Sequence, residues 1–239
     1  MKRPAIVPAA LVLALAGCTT EHVTKTQVVK GTAIDHGKAL FSDHESSPSA
    51  TNTFSCATCH LSEAMDDGRI LPGAALGGAV DRPTFWGGQE NDLLRAINDC
   101  RFYFMDAPKP WKADDEDAKA IYAYLSSLPK DTAAAPFTVT KAATDVATGD
   151  ANVGADVFAR ACAACHGALH TGKGRLAALA PRLPDDASPS LAAANRRVIF
   201  VEKVRHGTFL GYGGIMPPFS EETLDDDQIA GLLAYFALY

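Results

Sequence analysis

Two five-residue runs carry most of the reactive side chains in this 239-residue chain: "CATCH", from Cys56 to His60, and "CAACH", from Cys162 to His166. Two thiols three positions apart on a helical turn reach the two vinyl groups of one porphyrin, and the adjacent histidine then lies under the iron, so C-x-x-C-H reads as a site of c-type haem attachment. A zinc half-site would need further Cys or His ligands in matched pairs, and a thioredoxin-like redox pair would sit in a βαβ pattern; neither context is present. The expected cofactor is two covalently attached haem c, one on Cys56 and Cys59 with His60 as iron ligand, the other on Cys162 and Cys165 with His166.

The opposite face of each iron separates a carrier from an enzyme, because the second axial ligand tunes the potential over about 0.8 V. Met216 stands 50 residues after His166 in the Gly- and Pro-rich stretch "GYGGIMPPFS" and is the expected second ligand there. In the first half, "INDCRFYFM" offers two sulfurs, Cys100 and Met105. Met105 follows His60 by 45 residues and precedes Tyr124 by 19, the interval that also separates Met216 from Tyr235. That register argues for Met105, yet Cys100 is an unpaired thiol in what reads as an exported chain, where a free cysteine is a liability unless protected or used. The choice stays open at this level. Met65 is too close to His60 to swing over the iron. His22, His36, His44, His170 and His206 do not sit where the final loop should cross the metal, and read as surface or helix-end residues.

The elements that must position these residues come as a repeat. "GADVF" before Cys162 places Gly154 and Phe158 as "GKALF" before Cys56 places Gly37 and Phe41, except that the first copy carries a polar insertion, "SDHESSPSATNTFS". Downstream, "WKADDEDAKAIYAYL" and "ETLDDDQIAGLLAYF" align without a gap, each an acidic helix start, at Asp114 or Asp225, followed by an apolar face. The pattern resembles class I cytochromes c over nearly all of residues 33–128 and 150–239. That resemblance implies an all-α fold of two cytochrome c-like helical domains in tandem, each wrapped around one covalent haem, with first and last helices crossing at the glycine and the aromatic. Glycine permits the close approach, and Tyr124 or Tyr235 fills the crossing. Residues 129–149, rich in Ala, Thr and Pro, read as a linker. By the same resemblance Pro72 supplies the carbonyl that orients His60. Trp86 and Trp111 are expected in the core near the first haem, and "DDED", residues 114–117, reads as a solvated helix start.

A second resemblance covers about 30 residues. "INDCRFYFMDAPKPW" followed by "AIYAYL" is similar to the cysteine-ligated haem domain of the A subunit of the Sox thiosulfate-oxidising complex and of thiosulfate dehydrogenases. Carried over, it implies Cys100 as iron ligand and catalytic residue in a sulfur-compound oxidoreductase, with Arg101 beside it to hold a sulfur oxyanion. The methionine-bearing second half departs from that pattern. A dihaem peroxidase would need an open iron face and more chain.

The N-terminus and the charge place the molecule. "MKR" followed by the apolar run "AIVPAALVLALAG" is too short to span a bilayer and resembles a bacterial lipoprotein signal, residues 1–17, with "LAGC" setting Cys18 as the lipidated residue of a tether, 18–32. The expectation is an exported protein, lipid-anchored on the periplasmic side; Thr19, where an aspartate would signal inner-membrane retention, favours the outer membrane by resemblance. Without Lys2 and Arg3 there are 20 basic against 28 acidic residues, a formal charge of −8, which argues against nucleic acid as a partner. The expected partners are redox proteins that donate and accept single electrons, and the membrane through its lipid anchor.

Overall fold

Residues 32–62, 67–130, 136–138, 146, 149–186, 192–208 and 215–238 are described in the structure, a computed structural model. The signal, Cys18, His22 and Met65 lie outside them. Helix α1 (Ala33–Ser42) starts at a reciprocal cap: the Asp35 amide donates to the Thr32 hydroxyl, and the Thr32 amide donates to the Asp35 carboxylate, satisfying donors that the first turn would leave unpaired. After the polar insertion come the single turn α2 (Cys56–Cys59), then α3 (Leu93–Tyr103) and α4 (Glu116–Ser127). The second half repeats the order as α5 (Ala151–Val157), α6 (Ala163–His166), α7 (Ala193–His206) and α8 (Asp226–Tyr235). The described residues contain no β-strand; Phe85 and Glu90 form one isolated bridge. The all-α expectation holds. No described helix is long and apolar enough to cross a membrane.

Each half is closed by its first and last helices. A Cβ on Gly37 would strike the Ala120 carbonyl and come within 2.7 Å of the Tyr124 Cβ, so only glycine admits α4 at this distance. Phe41, one turn on, packs against Tyr124 with ring centroids 5.5 Å apart. In the second half Gly154 meets the Gly231 carbonyl and the Tyr235 Cβ in the same way, and Phe158 lies 5.9 Å from Tyr235. The crossings are therefore those the repeat predicts. The cores behind them are Phe41, Ile121, Tyr124 and Leu125 in one half, and Val157, Leu224, Ile229 and Leu232 in the other.

Three details depart from the sequence reading. Asp115, not Asp114, is the N-cap of α4, and its carboxylate turns back to accept from the Lys112 amide; Asp225 caps α8 as expected, in a reciprocal pair with Gln228. Residues Phe158–Cys162 form a π-helical turn that carries α5 straight into α6, so the second haem motif continues the first helix. His206 ends its helix, as expected, yet it is fully buried, its Nδ1 2.5 Å from Glu202. Beside it Arg205 is fully buried as well, donating to the carbonyls of Phe219, Ser220 and Leu224 and to Asp226 at 2.7 Å, which ties α7 to the start of α8.

Candidate functional site

In the first half, α2 and the loop after it set one wall of a cavity of about 430 Å³. Cys56, Cys59 and His60 line it, opposite a largely apolar surface from α3 and the segments 76–86. His60 Nδ1 lies 2.7 Å from the Ala74 carbonyl. A carbonyl only accepts, so Nδ1 carries the proton and Nε2 keeps its lone pair for a metal. Burial, the leading effect, lowers the His60 pKa and keeps the ring neutral. Gly73 presses on this ring: a Cβ there would run into Cε1 and Nδ1. Ala74 thus takes the role expected of Pro72, which lines the cavity instead; the chain has to turn at Gly73 before a carbonyl can face the ring.

Cys100 and Met105 both line this cavity. Met105 is 4% exposed, just past α3, and its carbonyl accepts from the Ser47 hydroxyl at 2.8 Å. The next residue, Asp106, sits at φ +49° and accepts from the Ser49 and Thr51 hydroxyls, each at 2.6 Å. Those bonds, Ser49 first, hold the Asp106 carboxyl below its ordinary value. The polar insertion is therefore a clasp on the methionine turn, a role its sequence did not disclose; its unusual density of hydroxyls was the available signal. Cys100 lies on α3, and burial, followed by the neighbouring Cys56 and Cys59 sulfurs, pushes its thiol well above the usual range. Burial likewise lifts Cys56 to about 11 and Cys59 and Cys162 to about 12. Burial therefore keeps these thiols protonated and neutral, and a thioether formed there would likewise bring no charge into the wall.

Arg101 is 4% exposed, with its guanidinium 3.9 Å above the Trp111 ring. Its Nη1 donates to Asn98 Oδ1 and the Lys109 carbonyl, both at 3.3 Å, while Nε finds no acceptor although it is buried. Asn98 in turn clamps Trp111, accepting from its amide at 2.8 Å and donating to its carbonyl at 2.9 Å. The cavity therefore joins paired thiols, a metal-ready imidazole, an apolar body and a cation with one open donor on its wall. That combination fits haem, whose ring is apolar and whose propionates are anionic. Trp86 lines the cavity, as expected; Trp111 supports Arg101 from behind.

The second half repeats the hydrogen bond that orients the motif histidine. His166 Nδ1 lies 2.9 Å from the Pro181 carbonyl, which again leaves Nε2 open, and burial again lowers the pKa. Met216 is half-buried against the second core; its carbonyl accepts from the Thr208 amide at 2.9 Å, and a Cβ on Gly207 would strike that carbonyl. The other histidines have non-metal neighbours: His36 lies 3.2 Å from Asp117 across the α1–α4 crossing, His44 3.7 Å from Asp43, and His170 2.8 Å from Asp185. Among the described residues no group of three or more His, Cys, Asp or Glu is placed to hold a bare metal ion. Sequence reasoning missed Phe137 altogether. It sits in the linker, packs edge-on to Trp86 at 5.6 Å and lines the cavity.

Residues 34–129 match the cytochrome c family, and residues 149–236 match the family of cytochrome c oxidase, cbb3-type, subunit III. No curated protein matches the chain significantly. Among solved structures, thiosulfate dehydrogenase TsdBA from Marichromatium purpuratum is similar at 18% identity and a TM-score of 0.39, over 85% of this chain and 45% of that one. The chain therefore spans less than half the length of that structure.

Proposed function

We propose that this dihaem c-type cytochrome, whose residues 34–129 and 149–236 each match a cytochrome c family model, carries single electrons between redox proteins on the periplasmic side of a bacterial membrane, held there by lipid on Cys18. Each haem, when bound, supplies a one-electron Fe(III)/Fe(II) couple. The chain supplies the rest. His60 and His166 present Nε2 because Ala74 and Pro181 hold Nδ1. Met105 and Met216 would supply the second sulfur donors to the irons when haem is bound, and a thioether donor would favour the reduced iron and raise the potential.

The observation that carries the reading is Met105. It is buried in the cavity that holds Cys56, Cys59 and His60, and the Ser47 clasp holds its backbone. The holoprotein should therefore show a thioether-to-iron charge-transfer band integrating to two haems. Met105→Ala should halve it, and Cys100→Ala should leave it unchanged. A band for one haem in the parent protein, indifferent to Met105→Ala, would refute the assignment.

One observation favours a second reading: Cys100 lines the same cavity as Met105. Under it the first haem has a cysteine ligand and the molecule is a sulfur-compound oxidoreductase, with Cys100 as the reacting group and Arg101 as the cation that holds the substrate's oxyanion. A low-spin thiolate signal abolished by Cys100→Ala would select this reading over the carrier. The tether is tested separately: Cys18→Ser should release the protein from membranes into the soluble periplasmic fraction, and retention on the membrane would remove the lipid from the account.

A further inference from the structure

The first cavity is not built by the first half alone. Pro217, Pro218, Ser220, Glu222 and Thr223 from the second half line it, together with Pro136 and Phe137 from the segment between the halves. Phe137 is the only aromatic residue between 129 and 149. Pro136 and Thr138 on either side of it are exposed, whereas Phe137 is half-buried, so the one apolar ring of this segment is the part that turns inward. It meets Trp86 edge-on, with ring centroids 5.6 Å apart, on the cavity wall.

These residues are held from both sides. On the first half, Gly87, at φ +64°, leaves room for the Phe137 carbonyl: a Cβ there would stand 2.5 Å from that oxygen. On the second half, the Thr138 amide and hydroxyl donate to the two Glu222 oxygens at 2.9 and 2.5 Å, and the Thr138 carbonyl accepts from the Glu221 amide at 3.1 Å. Every polar group of Thr138 is thus bonded to the second half. A segment that only joined two domains would need none of these bonds and would have no reason to send its ring into a cofactor cavity.

We propose that Pro136–Thr138 is a strap across the first haem site: Phe137 covers the bound haem and raises its potential by keeping water off it, and Thr138 and Glu222 are the positioning residues that hold the ring there. The physical basis is charge. A ferric porphyrin iron carries one more positive charge than the ferrous form, and an apolar wall that excludes water disfavours the more highly charged state. The second half therefore acts on the first haem without giving it a ligand. This inference rests on the dihaem reading above and holds whether Met105 or Cys100 faces the iron.

The test uses the full chain, matured in a host that assembles c-type cytochromes. A pyridine haemochrome assay first counts the haems; fewer than two per chain overturns the dihaem reading and the strap with it. With two bound, nuclear magnetic resonance of the reduced protein should show contacts from the Phe137 ring to the same haem that contacts Trp86. In a potentiometric titration, Phe137→Ala should shift the equilibrium of that haem on the order of tenfold towards the ferric form, ~59 mV for one electron, and leave the other couple in place. Thr138→Val keeps the ring but loses the hydroxyl bond to Glu222, and should shift the same couple in the same direction by about threefold. Both variants retain the Glu222 carboxylate, so its charge does not enter the comparison. Phe102→Ala removes a ring that is 66% exposed at the end of α3 and should move neither couple. Unchanged potentials in Phe137→Ala, or an equal shift in Phe102→Ala, would overturn the strap, and an unchanged potential in Thr138→Val would remove the bond to Glu222 from it.

Discussion

At the level of single residues, the iron sites are aimed by backbone carbonyls and by the absence of one methyl group. Gly73 leaves the space that the His60 ring occupies, so Gly73→Ala should tilt the ring off the Ala74 carbonyl while Cys56 and Cys59 still hold the porphyrin. The expected result is covalent attachment of two haems with one shifted from low to high spin, read by optical and paramagnetic spectroscopy; an unchanged low-spin spectrum would disprove the role of Gly73. Ser47 acts one step further out. Ser47→Ala strands a buried carbonyl on Met105, at a cost of about 1–3 kcal/mol. It should lower the denaturation midpoint and weaken the charge-transfer band of one haem, whereas Ser127→Ala, which removes a hydroxyl bonded within its own helix turn, should leave the band alone. The two C-x-x-C-H runs stood out by their spacing, which the attachment chemistry expected of them would fix, and the structure lines one cavity with Cys56, Cys59 and His60. Ser47, Ala74 and Pro181 did not stand out: a carbonyl or hydroxyl bond made across 14 or more residues leaves no pattern in the chain.

Helices behave differently from single side chains, since a period of 3.6 and a pair of glycines announce themselves. Gly37 and Gly154 were read as crossing points, and both crossings are present. In a solvated helix, replacing glycine by alanine stabilises by up to about 1 kcal/mol. Here the sign should reverse: at either position the new Cβ meets the backbone of the partner helix, so Gly37→Ala and Gly154→Ala should each cost about 1–3 kcal/mol or more, measured by urea denaturation of the holoprotein. A gain in stability would mean that the helices are not in contact there. Arg205 lay outside the sequence reading, because an arginine in the last turn of a helix ordinarily reads as a solvated partner of the helix dipole. The structure buries it completely against three carbonyls and Asp226. Arg205→Met, close in length and apolar, strands those carbonyls and frees α7 from the start of α8, at an expected cost of about 3–5 kcal/mol. Asp226→Asn should cost less, since that carboxylate is already 58% exposed.

On the scale of the whole molecule, the stretch read as a featureless linker is where the halves are stitched. Composition marked residues 129–149 as irregular, which describes their lack of period and says nothing of what they touch. Thr138 donates from its amide and hydroxyl to the two Glu222 oxygens, at 2.9 and 2.5 Å, and accepts from the Glu221 amide at 3.1 Å. Its neighbour Phe137 is thereby held against Trp86 at the first cavity, while Glu222 itself borders that cavity from the second half. Burial alone would raise the Glu222 pKa; the Thr138 bonds, a backbone amide and the Ser220 hydroxyl outweigh it and bring the value down from 4.5 to about 2. A carboxyl whose value falls on folding stabilises the fold fully above its unfolded pKa and loses that contribution as it takes up a proton. The stitch is therefore complete above pH 4.5 and released as pH falls from 4.5 towards 2. Hydrogen exchange at the Thr138 and Glu221 amides should accelerate, beyond its intrinsic pH dependence, across that window. Glu222→Gln, which cannot change charge, should show faster exchange at neutral pH and no further loss on acidification. Protection that stayed constant from pH 5 to 2 in the parent protein would mean that the halves are joined by something other than this carboxylate.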